Sequence, residues 1–206
     1  MTGDNSRVVG YGSWLLNEGE KNNFIKQFFS DYVINVCKKS ISAGFNREKI
    51  AINEIPEVFY QPGACFVTLE KHGNLRGCIG SIIAHRALID DLVKNAQNSA
   101  FSDPRFSPLT EDEFNDLEID VSLLSAPEKM EFEDEADLLS QIRPYIDGII
   151  IKDRGYQAVY LPSVWEQLPE KEMFLNSLKI KAGLPPKHFS STFEAYRFTT
   201  EYIKSS

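Results

Sequence analysis

The sequence predicts an α+β fold in which mostly antiparallel sheets are flanked by helices. Two segments, 64–83 and 148–161, each contain two apolar runs around a short turn, which is typical of β-hairpins. The predicted order is helix, hairpin, helix, strand, hairpin, helix, strand. Hairpins pair neighbouring strands in antiparallel fashion, and this order lacks a regular alternation of single strands and helices. A doubly wound parallel sheet is therefore disfavoured.

The first predicted element is a long helix. Residues 1–16 are rich in Gly, Ser and Asn and are predicted to form a flexible leader. Asn17 followed by Glu20 resembles a capping box, and Gly44 is a natural helix end. Between them apolar residues recur at four-residue spacing and form a wide stripe: Phe24, Phe28, Tyr32 and Val36. Cys37 lies on this stripe and is interpreted as a core residue.

The first hairpin follows a polar connection. Residues 64–69 read as a buried strand, 71–74 carry the turn signal, and 75–83 form the returning strand. Antiparallel pairing across an even-length loop would place Cys65 and Cys78 on the same face. A disulfide between them would be unusual in a reducing cytosol.

The middle of the chain predicts a second helix and a half-buried strand. The helix spans about 86–101 and ends before Pro104, because proline disfavours helical geometry in the residue before it. Thr110 and Glu113 have the spacing of a capping box for a short helical turn. Apolar and polar residues then alternate over 117–123, which is the pattern of a strand with one buried face.

The second half predicts smaller elements. Residues 126–137 are acidic and irregular, which is typical of a solvated surface. A short helix, a second hairpin, a helical region interrupted by Pro169, and a closing strand are then expected at 134–142, 148–161, 163–183 and 193–203.

Composition narrows the function classes. The net charge of −8 in a chain of 206 residues argues against a nucleic-acid backbone or an anionic membrane as the main partner. Three cysteines, odd in number and without CxxC spacing, predict neither a disulfide framework nor a zinc site. No apolar run approaches the length of about 18 residues that a membrane span needs. We therefore predict a cytoplasmic protein that does not bind membranes. An RNA-binding or RNA-modifying role is kept only as a weaker option, because the net charge disfavours it.

The candidate functional centre is the glycine-rich stretch 73–81, which directly follows an apolar run. In an extended strand Arg76 and Cys78 would share a face, about 7 Å apart along the chain. A guanidinium at that distance favours a thiolate, so Cys78 is a candidate nucleophile or ligand-facing thiol. The alternative is that Cys78 is a small buried hydrophobe and that Gly77 and Gly80 only permit tight packing.

No base for this thiol can be assigned from the sequence. A cysteine nucleophile usually needs a histidine. His72 lies in a predicted turn, His85 begins a predicted helix, and His188 follows two prolines in a predicted loop. None of the three can be placed beside Cys78.

A second polar segment follows the second predicted helix. Asp103 and Arg105 flank a rigid proline, and they could either bind an anionic group or pair with each other. Metal-ligand spacing, a P-loop and a GxGxxG loop are all absent from the sequence, so neither a metal nor a cofactor is predicted.

Residues 75–80, Leu-Arg-Gly-Cys-Ile-Gly, resemble the signature motif of the AMMECR domain family. Five further segments resemble the family's other motifs in their usual order: 103–109, 121–125, 147–149, 161–164 and 181–184. The resemblance runs from about residue 20 to residue 203. It implies that 17–206 form a single AMMECR-type domain.

The resemblance implies a compact α+β fold with a larger and a smaller lobe and with the 75–80 strand at a cleft between them. It also implies a cytoplasmic location and, in bacteria and archaea, association with Memo-type and radical SAM proteins. It supplies no activity, because the biochemistry of the family is unsettled. Whether the chain is an enzyme therefore stays open.

Two functions of different classes remain. In the first, the cleft binds a small molecule, Cys78 is the catalytic thiol and Arg76 promotes its ionisation. The predicted substrate-binding residues lie on two segments: Arg76, Gly77, Gly80, Asp103 and Arg105. In the second, the chain is a non-catalytic binding or assembly module for Memo-type or radical SAM partners, and Cys78 is inert packing.

Overall fold

A computed structural model describes residues 18–46, 48 and 50–205. The predicted leader 1–16 and the predicted cap residue Asn17 lie outside these residues. The described part contains five α-helices and eight strands. The helices are α1 (Glu18–Asn46), α2 (Leu88–Phe101), α3 (Glu111–Phe114), α4 (Glu135–Gln141) and α5 (Lys171–Lys181). The strands are β1 (Ala64–Lys71), β2 (Asn74–Gly80), β3 (Leu117–Leu124), β4 (Glu128–Lys129), β5 (Gly148–Asp153), β6 (Tyr156–Tyr160), β7 (Glu194–Phe198) and β8 (Thr200–Lys204).

The strands form two four-stranded antiparallel sheets, one in each lobe, so the predicted α+β class is confirmed. The larger lobe has the strand order β2-β1-β3-β8, and the smaller lobe has the order β4-β7-β5-β6. None of the helices in the described residues is long and apolar enough to cross a bilayer.

The larger lobe buries one face of its sheet under α1 and α2. The apolar stripe of α1 forms the core together with alternate residues of β1 and β3, because successive strand side chains point to opposite faces. Helix α1 carries a kink at Phe29, whose φ of −133° and ψ of 17° are not helical. Cys37 is fully buried in this core, as expected, and burial raises the pKa of its thiol to about 12.

The smaller lobe has its own core beneath α4, α5 and a 3-10 turn at Pro162–Glu166. The ring of Trp165 stacks on Phe174 with centroids 3.7 Å apart, and the Trp165 indole N–H donates to the carbonyl of Asp147. A buried aromatic pair whose polar atom is satisfied in this way fixes the 3-10 turn against α5.

Between residues 50 and 205 the chain crosses between the lobes twice, and the two crossings lie side by side. The N–H of Ser125 donates to the carbonyl of Thr199, and the N–H of Thr199 donates to the hydroxyl of Ser125. The predicted closing strand 193–203 is therefore wrong as a single element. It divides at Thr199 into β7 of the smaller sheet and β8 of the larger one. A strand that bends can serve two sheets in this way.

Strand β2 ends at Gly80, earlier than predicted, because the following loop is drawn onto α2. The carboxylate of Asp91, which is fully buried, accepts hydrogen bonds from Ser81 Oγ and Arg86 Nε, both at 2.7 Å. Since these bonds satisfy a buried charge, the segment after β2 cannot continue along the sheet.

Candidate functional site

A cleft of about 410 Å³ lies between the two lobes, beside an edge strand of each sheet. Its lining is mainly apolar, with few polar groups, which is the usual character of a small-molecule site. The larger lobe contributes Phe66, Cys78, Ile79, Asp103, Pro104 and Arg105. The smaller lobe contributes Val159, Tyr160, Leu161, Ser163, Val164 and Lys181.

The two glycines that flank Cys78 are each placed by a close contact. A Cβ at position 77 would overlap the main-chain carbonyl oxygen of Ser99, so α2 can approach β2 only if residue 77 is glycine. A Cβ at position 80 would overlap the ring of Phe66, which lies directly opposite Gly80 on β1 and covers it. These contacts account for both glycines by packing, and neither residue is among those that line the cleft.

A β-bulge at Arg76 decides which way the thiol faces. On β1, Leu69 pairs with Gly77 and Glu70 pairs with Leu75, so Arg76 is the extra residue on β2. One extra residue inverts the alternation of side chains beyond it. The expectation that Cys65 and Cys78 share a face is therefore wrong. Cys65 is fully buried, with its Sγ beside the Asp91 carboxylate, while Cys78 is partly exposed in the cleft.

Cys78 lies opposite Thr68 on the neighbouring strand. The Thr68 hydroxyl donates to Cys78 Sγ at 3.2 Å. Both main-chain groups of Cys78 are bound by side chains, since its N–H donates to Asp103 Oδ2 at 2.9 Å and its carbonyl accepts from Arg105 Nη2 at 3.2 Å. The exposed edge of β2 is thus closed by two side chains where another strand would otherwise pair.

Asp103 is a buried carboxylate whose hydrogen-bonding capacity is used within the chain. Its Oδ1 accepts from the N–H and Nε of Arg105, and its Oδ2 accepts from Arg105 Nη2 at 2.7 Å as well as from Cys78. The bond from Arg105 is the main reason that the pKa of Asp103 lies well below its usual range. Asp103 therefore positions Arg105 and the Cys78 peptide, and the side chain of Arg105 remains 53% exposed.

Arg76 is directed to a different partner from the one that the sequence suggested. Its Nε and Nη2 donate to the two carboxylate oxygens of Glu113 on α3, at 2.9 and 3.0 Å. Hydrogen bonds from Arg76 and from the Thr110 N–H lower the pKa of Glu113 to about 2. The predicted capping box at Thr110 and Glu113 is confirmed, and it holds the carboxylate that binds Arg76. Arg76 is not among the residues that line the cleft.

Lys181 lines the cleft but was not among the candidate site residues predicted from the sequence. It lies at the end of α5, and its Nζ donates to the carbonyl of Val159 at 3.0 Å and sits 4.8 Å from the centre of the Tyr160 ring. The pKa of Lys181 is lowered, first because its surroundings desolvate the ammonium and then because Arg105 is nearby. A signal existed, because the segment 181–184 was one of the motifs that carried the family resemblance.

The histidines lie away from Cys78. His72 occupies the β1–β2 turn with φ 51°, and His85 Nδ1 lies 2.9 Å from the Ile83 carbonyl. His188 hydrogen bonds to Asp153. None of the three lines the cleft, so the geometry contains no Cys-His pair there. In the part of the chain that the structure describes, no three His, Cys, Asp or Glu side chains are grouped as metal ligands.

Asp153 is the centre of a second polar cluster, in the smaller lobe. It accepts hydrogen bonds from His188, from Ser190 Oγ at 2.9 Å and from Thr192 Oγ1 at 2.6 Å. The Ser190 hydroxyl donates to the carboxylate, and the imidazole binds that same carboxylate, so the cluster lacks the serine–histidine contact that a hydrolase nucleophile needs. Its effect is to hold the 188–192 loop onto the end of β5.

Comparisons with known proteins point to one family. A family model described as AMMECR1 matches residues 34–203. A protein of Methanothermobacter thermautotrophicus is 41% identical over 151 residues, which cover 72% of this chain and 79% of the relative. A protein of Methanocaldococcus jannaschii is 35% identical over 161 residues, with 76% and 80% covered. The crystal structure of an uncharacterized protein from Pyrococcus horikoshii is similar with a TM-score of 0.80 at 28% identity, covering 86% of this chain and 91% of that one.

Proposed function

The chain belongs to the AMMECR1 family, and we propose that it binds a small molecule in the cleft between its two lobes, with the Cys78 thiol in contact with the ligand. The observation that carries this proposal is the convergence of Cys78, Arg105 and Lys181 from two lobes on one mainly apolar concavity. Residues that are distant in sequence and different in chemistry converge in this way at binding sites more than in ordinary packing.

The role of Cys78 in this proposal is to contact the ligand. The thiol is partly exposed, accepts a hydrogen bond from Thr68 and lies near the cations Arg105 and Lys181. Three free thiols also suit the reducing cytoplasm in which we propose that the protein acts.

Alkylation with iodoacetamide tests whether the cleft is open to small molecules. Cys37 and Cys65 are fully buried and serve as internal controls, so we expect only Cys78 to be labelled in the folded protein. Ser163 is exposed and lines the cleft, and Ser163→Trp should slow labelling of Cys78 about tenfold or more by filling it. Ser140→Trp, on the exposed surface of α4, is the matched control and should leave the rate unchanged.

Ligand binding itself is tested by the same pair of variants. A library of small molecules is screened for protection of Cys78 against iodoacetamide, and each protecting compound is then titrated into the Ser163→Trp and Ser140→Trp proteins. We expect compounds whose binding is lost only in Ser163→Trp. If Cys78 resists labelling in the folded protein, or if no compound protects it, the proposal is wrong.

A non-catalytic assembly module is the second candidate. It is favoured by the packing that accounts for Gly77 and Gly80 and by the bonds that commit Asp103 to the Cys78 peptide. Under this alternative the chain would dock on Memo-type or radical SAM proteins, as the family resemblance implies. Function would then survive Cys78→Ser in a complementation assay. Loss of complementation in a folded Cys78→Ser protein would favour the ligand-binding cleft.

A further inference from the structure

The charge of the cleft is opposite in sign to that of the whole chain. The net charge of the chain is −8, whereas the charged residues that line the cleft, among those that the structure describes, are Asp103, Arg105 and Lys181. One carboxylate faces two cations, so the cleft carries a local excess of one positive charge. A positive concavity in an acidic protein concentrates anions and repels the cations that the remaining surface attracts.

Asp103 does not offset the second cation. Both of its oxygens accept hydrogen bonds from Arg105 and from the Cys78 peptide, and its exposed fraction is 4%. The pair formed by Asp103 and Arg105 is therefore electrically neutral and internally satisfied. Arg105 uses its Nε and Nη2 in these bonds, and its Nη1 makes no hydrogen bond to any described residue. Two N–H donors of Arg105 therefore remain for a ligand.

Lys181 supplies the excess charge. No carboxylate within the described ranges lies at ion-pair distance from its Nζ, which donates one hydrogen bond, to the Val159 carbonyl. An ammonium has three donors, so two remain. Arg105 and Lys181 line the same cleft and carry like charges, so they repel each other, and this repulsion adds to the effect of desolvation in lowering the pKa of Lys181. A bound anion would relieve that repulsion.

The remaining walls limit what else the ligand can be. Phe66, Val159, Leu161 and Val164 are apolar and line the same space of about 410 Å³. A ligand that is charged along its whole length would place charged groups against these apolar walls, where they lose water and gain no hydrogen-bond partner. The walls thus favour an apolar body attached to a single charged group.

From these contacts we infer that the cleft selects a small carboxylate with an apolar body, whose carboxylate lies between Lys181 and Nη1 of Arg105. This inference rests on the proposed function, since it names the ligand class of the same cleft. One carboxylate matches one excess charge, while a planar guanidinium edge and an ammonium suit its two oxygens.

Matched probes test the charge requirement. Octanoate, octanol and octylamine share one chain and differ in the head group, and their binding is followed by shifts of amide NMR signals. We expect octanoate to bind about tenfold more tightly than octanol, as for one charge-assisted hydrogen bond, and octylamine to bind most weakly. Ser163→Trp should abolish the binding of octanoate, and Ser140→Trp should not.

Variants at Lys181 test whether this residue causes the preference for octanoate over octanol. Lys181→Met should remove the preference for octanoate over octanol, and Lys181→Arg should retain it. Lys187→Met, which removes the same charge from an exposed loop outside the cleft, should leave the preference unchanged. The thermal unfolding midpoint of each variant reports whether it is folded.

The outcomes separate this inference from the proposed function. If octanol binds in the cleft as tightly as octanoate, the carboxylate inference is overturned while ligand binding stands. A preference for octanoate that survives Lys181→Met also overturns it. Absence of cleft-dependent binding by all three probes overturns the inference too, and protection of Cys78 by other compounds then decides the proposed function independently.

Discussion

The peptide N–H of Cys78 donates to the carboxylate of Asp103 at 2.9 Å, and Arg105 closes the contact by bonding to both residues. The turn after α2 is thus attached to the edge of β2 by side chains in the place of a fifth strand. The same bonds bring Arg105 to the cleft beside Cys78. The relationship between these residues links the stability of the larger lobe to the geometry of the candidate site.

Asp103→Ala should destabilise the protein by about 2–3 kcal/mol, because it leaves the partly buried Cys78 N–H without its acceptor and removes the partner of Arg105. Asp103→Asn keeps one carbonyl acceptor and should cost less. Urea unfolding measures both free energies. Asp116→Ala, at an exposed carboxylate, is the control and should change the free energy of unfolding by less than about 0.5 kcal/mol. Equal effects at positions 103 and 116 would contradict the assignment.

Gly77→Ala should lower the free energy of unfolding by more than about 2 kcal/mol. The added Cβ would overlap the main-chain carbonyl of Ser99, and neither strand nor helix can move without disturbing the core. Gly73→Ala tests the alternative cause, backbone strain, because Gly73 has φ +72° and open space around it. Its cost should be only about 1 kcal/mol. Thermal or urea unfolding of the two proteins gives the comparison, which fails if Gly73→Ala is the more destabilising.

Lys181 and Arg76 should differ in their effect on the alkylation of Cys78. Lys181→Met removes a charge that lines the cleft and should slow alkylation of Cys78 by iodoacetate, an anionic reagent, by about two- to fivefold, since the cleft then attracts that reagent less. Arg76→Met should leave that rate nearly unchanged, because the guanidinium is bound to Glu113 outside the cleft. The rate of iodoacetate incorporation, read by mass spectrometry, distinguishes these outcomes. A larger effect from Arg76 would restore the role that the sequence suggested for it.

The ionised carboxylate of Asp153 should stabilise the folded protein, and this stabilisation should be lost in acid. Its pKa is lowered to about 2 in the folded state, first by the hydrogen bond from His188 and then by Thr192 and Ser190, against about 3.9 for an unfolded chain. Because the folded pKa lies below the unfolded one, this contribution is complete above about pH 4 and is lost as the pH falls towards 2.

Asp153→Asn tests this linkage by removing the titrating group. Its free energy of unfolding should fall less steeply between about pH 4.5 and pH 2 than that of the unmodified protein. Urea titrations at several pH values provide the slope. Asp116→Asn, at an exposed position, should retain the original slope. An unchanged slope in Asp153→Asn would show that the cluster does not hold the carboxylate ionised.

Local patterns in the sequence predicted most of the secondary structure and the fold class. The helix predicted from the four-residue spacing at α1, the two hairpins and the capping box at Thr110 and Glu113 all appear in the structure. Each depends on residues within about one turn or one strand of one another, so the chain alone specifies them.

The sequence by itself thus determined most of the elements and the antiparallel class, and it singled out the stretch around Cys78 as the candidate site. Tertiary structure alone decided the rest. The bulge at Arg76 reverses the side of β2 on which the thiol lies, and strand pairing sets this register. Residues 193–203 divide at Thr199 because β7 pairs within one sheet and β8 pairs within the other. The approach of Lys181 to Cys78, more than a hundred residues away along the chain, depends on how the two lobes pack. Distant contacts of this kind leave no periodic trace in one sequence, because periodicity reports only which face of an element is buried and not what covers it.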